Sequence, residues 1–447
     1  MPHRFIVDRI FPASLTRRNW LGGAACSLLM AGCRRSEVAG KPGVGQAAGK
    51  LRQEIYVWQR LWTPAVAASV TMAQERGLGL SILAAEVEWS EAQPRLIRPK
   101  VDWKRAAHAS GGVGLAVRIG PWSGPFGAED AVTRRISGWI RETLTQAREG
   151  GCEPVELQID FDAATTKLAG YRNWLRVFRK AVTPLPVSCT ALPDWLRSPL
   201  LQEMVRECGS YVLQVHAVER ARADEAAPRL LHADSARRWV EQAAALGVPF
   251  RVALPTYRSV VGFDADGKIV GIDSEGPARV WPRGTKVVTF VSPATEIAGL
   301  VEQWTRGRPA MLQGILWYRL PVAGESRNWT WKTLEPVMAG RAPLGKLLAR
   351  AEGGNPMDIF LANEGEAEVS WPESVLVQVP ASSGGITAAD ALGGYVVTLD
   401  PAAPHRAVFH RNSGETLHFL LPEARKPLGW LRTQSTVTAH EITISIP

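Results

Sequence analysis

The feature that most restricts this chain is an alternation. From about residue 54 to 340, eight short β-like runs are separated by segments with helical spacing. The runs are residues 55–59, 80–86, 113–119, 155–161, 187–191, 211–216, 250–254 and 314–318. Between them, stretches such as 131–149, 171–182, 235–246 and 293–305 place apolar residues three and four apart. Strand, helix and strand in this order make a parallel sheet with helical crossovers. Eight such units predict a closed (β/α)8 TIM-type barrel over residues 53–350. An open, doubly wound sheet is the competing fold. No Gly-rich dinucleotide or phosphate fingerprint follows the first run, which favours the barrel. In a barrel, function gathers at the strand C-termini and the loops after them.

Beyond a helical stretch through Ala349 the texture changes to short alternating runs separated by turn residues. The pattern predicts a small antiparallel β-sandwich over residues 351–447, one that binds glycan or braces the barrel. Within the barrel, residues 258–290 form an insertion with two β-like runs around Asp266-Gly267, a hairpin signal. It is either a cleft wall or an exposed decoration.

The N-terminus belongs to a different argument. Arg17-Arg18 precede an uncharged run, Leu21 to Gly32, that is too short to span a bilayer. The run ends in Leu29-Met30-Ala31-Gly32-Cys33, which resembles a lipobox. Residues 1–33 are therefore expected to be a lipoprotein signal peptide, with Cys33 the lipidated residue, and the paired arginines resemble a twin-arginine signal. Residues 34–52 are expected to be a flexible tether. The expected location is an exported, membrane-anchored lipoprotein, in the outer membrane facing the periplasm.

With 447 residues, 46% hydrophobic and 21% charged, the chain has material for a large core and a second domain. Its net charge of +9 is dispersed among acidic residues, without the basic blocks of nucleic-acid binders. Nucleic acid is not an expected partner. Beyond Cys33 only Cys152, Cys189 and Cys208 remain, without metal-ligand spacing. Seventeen tryptophans matter more, because flat aromatic faces stack on sugar rings. Trp58, Trp62, Trp89, Trp122, Trp195 and Trp317 lie on or just after the strands, in a cleft lining or in the core.

The sharpest local pattern is Leu157-Gln158-Ile159-Asp160-Phe161-Asp162. Alternation puts the apolar residues on the helix-facing side and Gln158, Asp160 and Asp162 on the barrel interior. Two carboxylates so close do not both ionise freely, so one is expected to keep its proton and serve as general acid. Glu86, on the second strand, is a candidate third catalytic carboxylate. Gln59, Arg118, Gln158, Gln214, His216, Tyr257, Trp317 and Tyr318, on or near strand ends, are candidate substrate-binding residues. A metal site of Asp160, Asp162 and His216 is an alternative, but no paired-histidine motif accompanies it, and neither metal nor cofactor is expected. No Gly-x-Ser-x-Gly elbow supports a serine hydrolase.

Together the stretches Val57-Trp58-Gln59-Arg60, Leu157 to Asp162, Leu192-Pro193-Asp194-Trp195, Leu213-Gln214-Val215-His216 and Val252 to Tyr257 resemble the bacterial family called domain of unknown function 3142. That family name implies no activity. The fourth strand and Gly314-Ile315-Leu316-Trp317-Tyr318 more distantly resemble the family 18, chitinase-like glycoside hydrolases, whose fourth strand carries Asp-x-Asp-x-Glu. Here the third acid is replaced by Ala164, leaving the acid role to Asp162 or Glu86. The resemblance implies a carbohydrate-active hydrolase acting on a polymer of the envelope or environment. Ala164 favours the alternative, a glycan-binding or scaffold lipoprotein that has kept the barrel without its chemistry.

Overall fold

The computed structural model describes residues 45–217, 221–224, 228–275, 279–412 and 419–447. The signal segment, Cys33 and most of the expected tether lie outside the described residues. Two compact units divide the chain. The first ends at Leu320, except that Pro293–Glu302 group with Pro321–Pro447 in the second. Among the described residues no helix is long and apolar enough to cross a membrane.

The first unit is a closed barrel. Its eight parallel strands are Arg52–Val57, Gly79–Ser90, Val113–Ile119, Glu156–Phe161, Val187–Ala191, Tyr211–Gln214, Phe250–Pro255 and Leu312–Tyr318. Each pairs with its neighbour in chain order, and the eighth returns to the first, with Gly314 opposite Arg52 and Trp317 opposite Ile55. The eight expected runs are these eight strands. Their side chains alternate between helix-facing and interior positions. Ile55, Leu115, Ile159, Phe161, Val252 and Ile315 are buried on the outer face. The helix Leu168–Val182 shows how that face is covered. Its Tyr171, Trp174, Leu175 and Phe178 are buried at helical spacing, and Tyr171 and Trp174 pack on Phe161 at 5.2 and 6.0 Å between ring centroids.

Two features went beyond the sequence pattern. The second strand runs on past the barrel and turns back as Gln93–Ile97, a hairpin whose turn residues Glu91 and Ala92 adopt φ of 51° and 59°. Such left-handed backbone usually calls for Asn or Gly, so Glu-Ala gave no turn signal. The insertion is a three-stranded antiparallel sheet, with Ser259–Phe263 between Ile269–Asp273 and Lys286–Phe290. The expected hairpin is there, closed by Asp264, whose carboxylate accepts from the backbone of Asp266 and Lys268 at 3.1 and 2.8 Å. Residues 45–52, expected to belong to a flexible tether, are instead held against the first unit. Gln46–Ala47 pair with Arg308–Pro309, and the Gly49 N–H donates to the Thr305 carbonyl at 2.8 Å, so the backbone from residue 45 onward is docked.

The second unit contains two four-stranded antiparallel sheets and a two-stranded pair. One sheet orders Leu347–Gly353, Met357–Asn363, Arg425–Thr433 and Ile386–Ala391, and the other orders Tyr395–Leu399, Arg406–Arg411, Ser374–Gln378 and Thr443–Ser445. Ile359, Leu361, Val375, Val377, Phe409, Leu428 and Leu431 form its core. The sheet begins at Leu347, where the sequence reading had a helix running through Ala349 and a boundary at 351. The run from Leu347 to Gly353 pairs along its whole length with Met357–Asn363, and the ladder overrides local helix propensity.

Candidate functional site

The barrel interior is layered. At the floor, near the strand N-termini, Arg251 spans Glu54 and Glu156, with contacts of 2.5 and 2.6 Å. Burial opposes the Arg251 charge, but Glu156 and Glu54 outweigh it and hold the guanidinium well above its ordinary pKa. One storey higher, Gln158 donates to Thr190 Oγ1 at 3.0 Å and to the Tyr56 hydroxyl, and accepts from Ser81 Oγ at 3.4 Å. Burial first, then the charge of Asp160, keep the Tyr56 phenol well above the usual tyrosine range. Gln158, expected to bind substrate, is therefore a fully engaged interior residue.

Above this layer the chemistry changes. Tyr56, Trp58 and Tyr318 meet edge to face at centroid distances of 5.1, 5.6 and 5.4 Å. His216 stacks on Tyr318 at 5.5 Å and meets the edge of Tyr257 at 5.8 Å. Four strands, the first, sixth, seventh and eighth, thus send rings to one centre. Trp58 and His216 are each 4% exposed, and among the described residues Trp58 Nε1 and His216 Nδ1 have no hydrogen-bond partner. Burial pushes the His216 pKa down to about 3, so the ring is neutral.

Carboxylates lie on the second and fourth strands, and Asp160 acts on the Tyr56 proton. Asp160 is buried and lies in register with Arg118 on the third strand. Asp162, half-buried, lies just past the end of the fourth strand. Glu86, 2% exposed, accepts from Arg60 Nη2 at 2.9 Å and Arg118 Nη1 at 3.0 Å, and also from Arg60 Nε. With guanidinium donors on both its oxygens, Glu86 holds two cations in place; the geometry does not present it as a proton donor. Gln214 donates to the carbonyl of His216 at 3.2 Å, and Gln59 is half-buried just past the first strand. Among the described residues no three His, Cys, Asp or Glu side chains converge as a metal site.

Trp317, expected to bind substrate, lies on the other face of its strand. It is 0% exposed and donates from Nε1 to Gln53 Oε1 at 2.8 Å on the outer face, while its neighbour Tyr318 turns inward. Trp195, also buried, donates to the Ala163 carbonyl. Tyr56, Arg60, Thr190 and Glu275 join the site from the structure. Tyr56 shares a strand face with Trp58, so alternation contained that signal; nothing local marks Arg60 or Glu275.

The insertion forms a wall of this site. Its Val261, Phe263, Ile272 and Phe290 share an apolar cluster with Tyr257, against which Tyr318 packs. The Tyr318 hydroxyl donates to Glu275 at 3.3 Å, and Glu275 lies 3.7 Å from the Arg319 guanidinium.

Comparison with known proteins gives the following. No curated protein matches the chain. Among solved structures, it is similar to the Bacillus cereus spore cortex-lytic enzyme SleL, with 12% identity and a TM-score of 0.46 over 66% of this chain and 75% of that one. It is also similar to chitinase ChiA74 from Bacillus thuringiensis, with 9% identity and a TM-score of 0.43 over 89% of this chain and all of that one. A chitinase from Chromobacterium violaceum gives 11% identity and a TM-score of 0.42 over 65% and 99% of the two chains. Residues 346–434 match the family described as Domain of unknown function (DUF8456). The barrel from before its fourth strand to just past its eighth, residues 125–323, matches the family described as Domain of unknown function (DUF3142).

Proposed function

We propose that the barrel mouth is a carbohydrate site and that the protein cleaves glycosidic bonds in a polysaccharide of the envelope or environment. The observation that carries this reading is the pair of buried ring nitrogens, Trp58 Nε1 and His216 Nδ1, both set against Tyr318 in an aromatic cup. Aromatic faces receive the C–H faces of a sugar, and its hydroxyls both donate and accept. A buried polar group without a partner costs about 1–3 kcal/mol, a cost that a ligand hydroxyl removes on binding.

The chemistry falls to the fourth strand. Asp162, the outer carboxylate, would protonate the leaving oxygen, while Asp160, alongside Arg118, would steady the positive charge that grows on the anomeric carbon. Asp160, near the end of the fourth strand, and Asp162, just past it, would flank the bond that breaks. Arg60 and Arg118, fixed by Glu86, would orient substrate hydroxyls. Export and lipid attachment at Cys33 complete the proposal, supported by Leu29 to Cys33 and the paired arginines before them.

A second reading, a glycan-binding lipoprotein without turnover, draws support from the engagement of Glu86 and from Ala164 in place of a third acid. Mass spectrometry separates the two. The protein and its Asp162→Asn variant are incubated with envelope and plant polysaccharides. New oligosaccharides from the unmodified protein alone support hydrolysis at Asp162; intact polymer retained on immobilised protein replaces it with binding. The absence of both products and retention would remove the carbohydrate reading.

A further inference from the structure

Among the described residues there are three cysteines, and two of them lie near one another on the side of the barrel, away from its mouth. Cys189 is buried on the helix-facing side of the fifth strand, in register with Tyr211 of the sixth. Cys208 ends the helix Pro199–Cys208, where Gly209 takes a left-handed turn, with φ of 81°, that leads into Tyr211. The helix end therefore comes down at the level of Cys189, and Cys208 is the neighbour that acts most strongly on the Cys189 thiol. Both are free thiols here, and Cys152 is a third, buried elsewhere in the same unit.

The two thiols differ in access. Cys189 is 0% exposed, and the neighbouring Cys208 together with burial holds its proton well above the ordinary thiol range. Cys208 is half-buried and lines a cavity of about 490 Å³ with Arg176, Arg179, Lys180 and Glu207. Glu207 is occupied by Arg172 and Arg176 at 2.7 and 2.6 Å. Arg179 is bonded to the Glu207 carbonyl. The cavity therefore offers a cationic approach to one thiol of a buried pair.

We infer that Cys208 and Cys189 are an entering and a resolving thiol that form a disulfide on exchange with a small anionic disulfide such as glutathione disulfide. Cys208, as thiolate, attacks one sulfur of the reagent; that S–S bond breaks and one thiolate leaves. Cys189 then loses its proton and attacks Cys208 Sγ, expelling the second thiolate. Two protein thiols are oxidised to one disulfide, the reagent is reduced to two thiols, and the two protons end on them. The bond fastens the helix Pro199–Cys208 to the fifth strand, independently of the barrel mouth. Anionic reagents gain from the cationic lining, so an uncharged disulfide of similar size would react more slowly.

The test treats the reduced full chain with glutathione disulfide, quenches with N-ethylmaleimide under denaturing conditions and maps the peptides by mass spectrometry. The expected result is a Cys189–Cys208 link, with Cys152 alkylated, and a rise in Tm on the order of 5 °C. The Cys208→Ser variant should keep its fold and melting temperature in the reduced state, and leave Cys189 alkylated. Lasting glutathione on Cys208 without the link, alkylation of all three thiols, or protection of Cys189 in Cys208→Ser would each overturn the inference.

Discussion

The two ends of the barrel interior are built from the same strands yet obey opposite rules. At the floor every charge is answered: Arg251 lies between Glu54 and Glu156, and Arg52 adds a 3.0 Å contact to Glu54. At the mouth, rings crowd together and two of their buried nitrogens go unanswered within the described protein. Folding alone would favour a satisfied mouth. The contrast separates stability, concentrated at the N-terminal ends of the strands, from recognition at their C-terminal ends.

Substitutions at each end test that separation. The largest effect is expected from Asp162→Asn, which should lower glycan hydrolysis by at least about 100-fold, the usual worth of a positioned acid, with Tm unchanged. A matching fall in Tm would place Asp162 with the floor residues. Next, Arg251→Leu takes its cation from half-buried Glu156 and leaves buried Glu54 with Arg52 alone, and should cost about 3 kcal/mol in urea unfolding, while the fraction still folded binds glycan normally. A loss of binding in folded molecules would break the division. His216 supplies an acid limb. The unfolded chain takes up a proton near the ordinary pKa of 6.5 and the folded one only near 3, so stability falls as pH drops through that window. The slope is up to ~1.4 kcal/mol per pH unit, and His216→Phe should flatten it in a Tm-against-pH series. Smallest is Trp58→Phe, which deletes one unanswered N–H; retention on glycan should weaken about tenfold, as for one lost hydrogen bond, while Tm holds or rises.

Much of the barrel was legible because its strands are buried on the outer face, and apolar runs of the right length announce that directly. The mouth was legible only as far as alternation reached. Asp160, His216 and Tyr318 lie where strand period places them, whereas Trp317, one residue from Tyr318, belongs to the other face. Glu86 shows the second limit. Its role depends on Arg60 and Arg118, 26 and 32 residues away in sequence, and no local pattern reports such partners. The sandwich hid its longest strand for a related reason. Arg425–Thr433 contains Pro427 and Gly429, residue types that ordinarily interrupt a strand. Yet a side chain at Gly429 would fall 2.1 Å from the Asp390 carbonyl, so glycine is what lets the neighbouring strand approach.

Barrel closure has a consequence in time. The first strand meets the eighth through Gly314 opposite Arg52, and Trp317 bonds Gln53 across 264 residues of sequence. At 5–20 residues per second, roughly 13–50 s of synthesis separate the two strands, during which one edge of the first is without its partner. Tyr318 arrives with that last strand, so the aromatic cup is completed only when the barrel closes. The nascent chain must therefore shelter an open β-edge for most of its synthesis, and it acquires its recognition surface in a single late step.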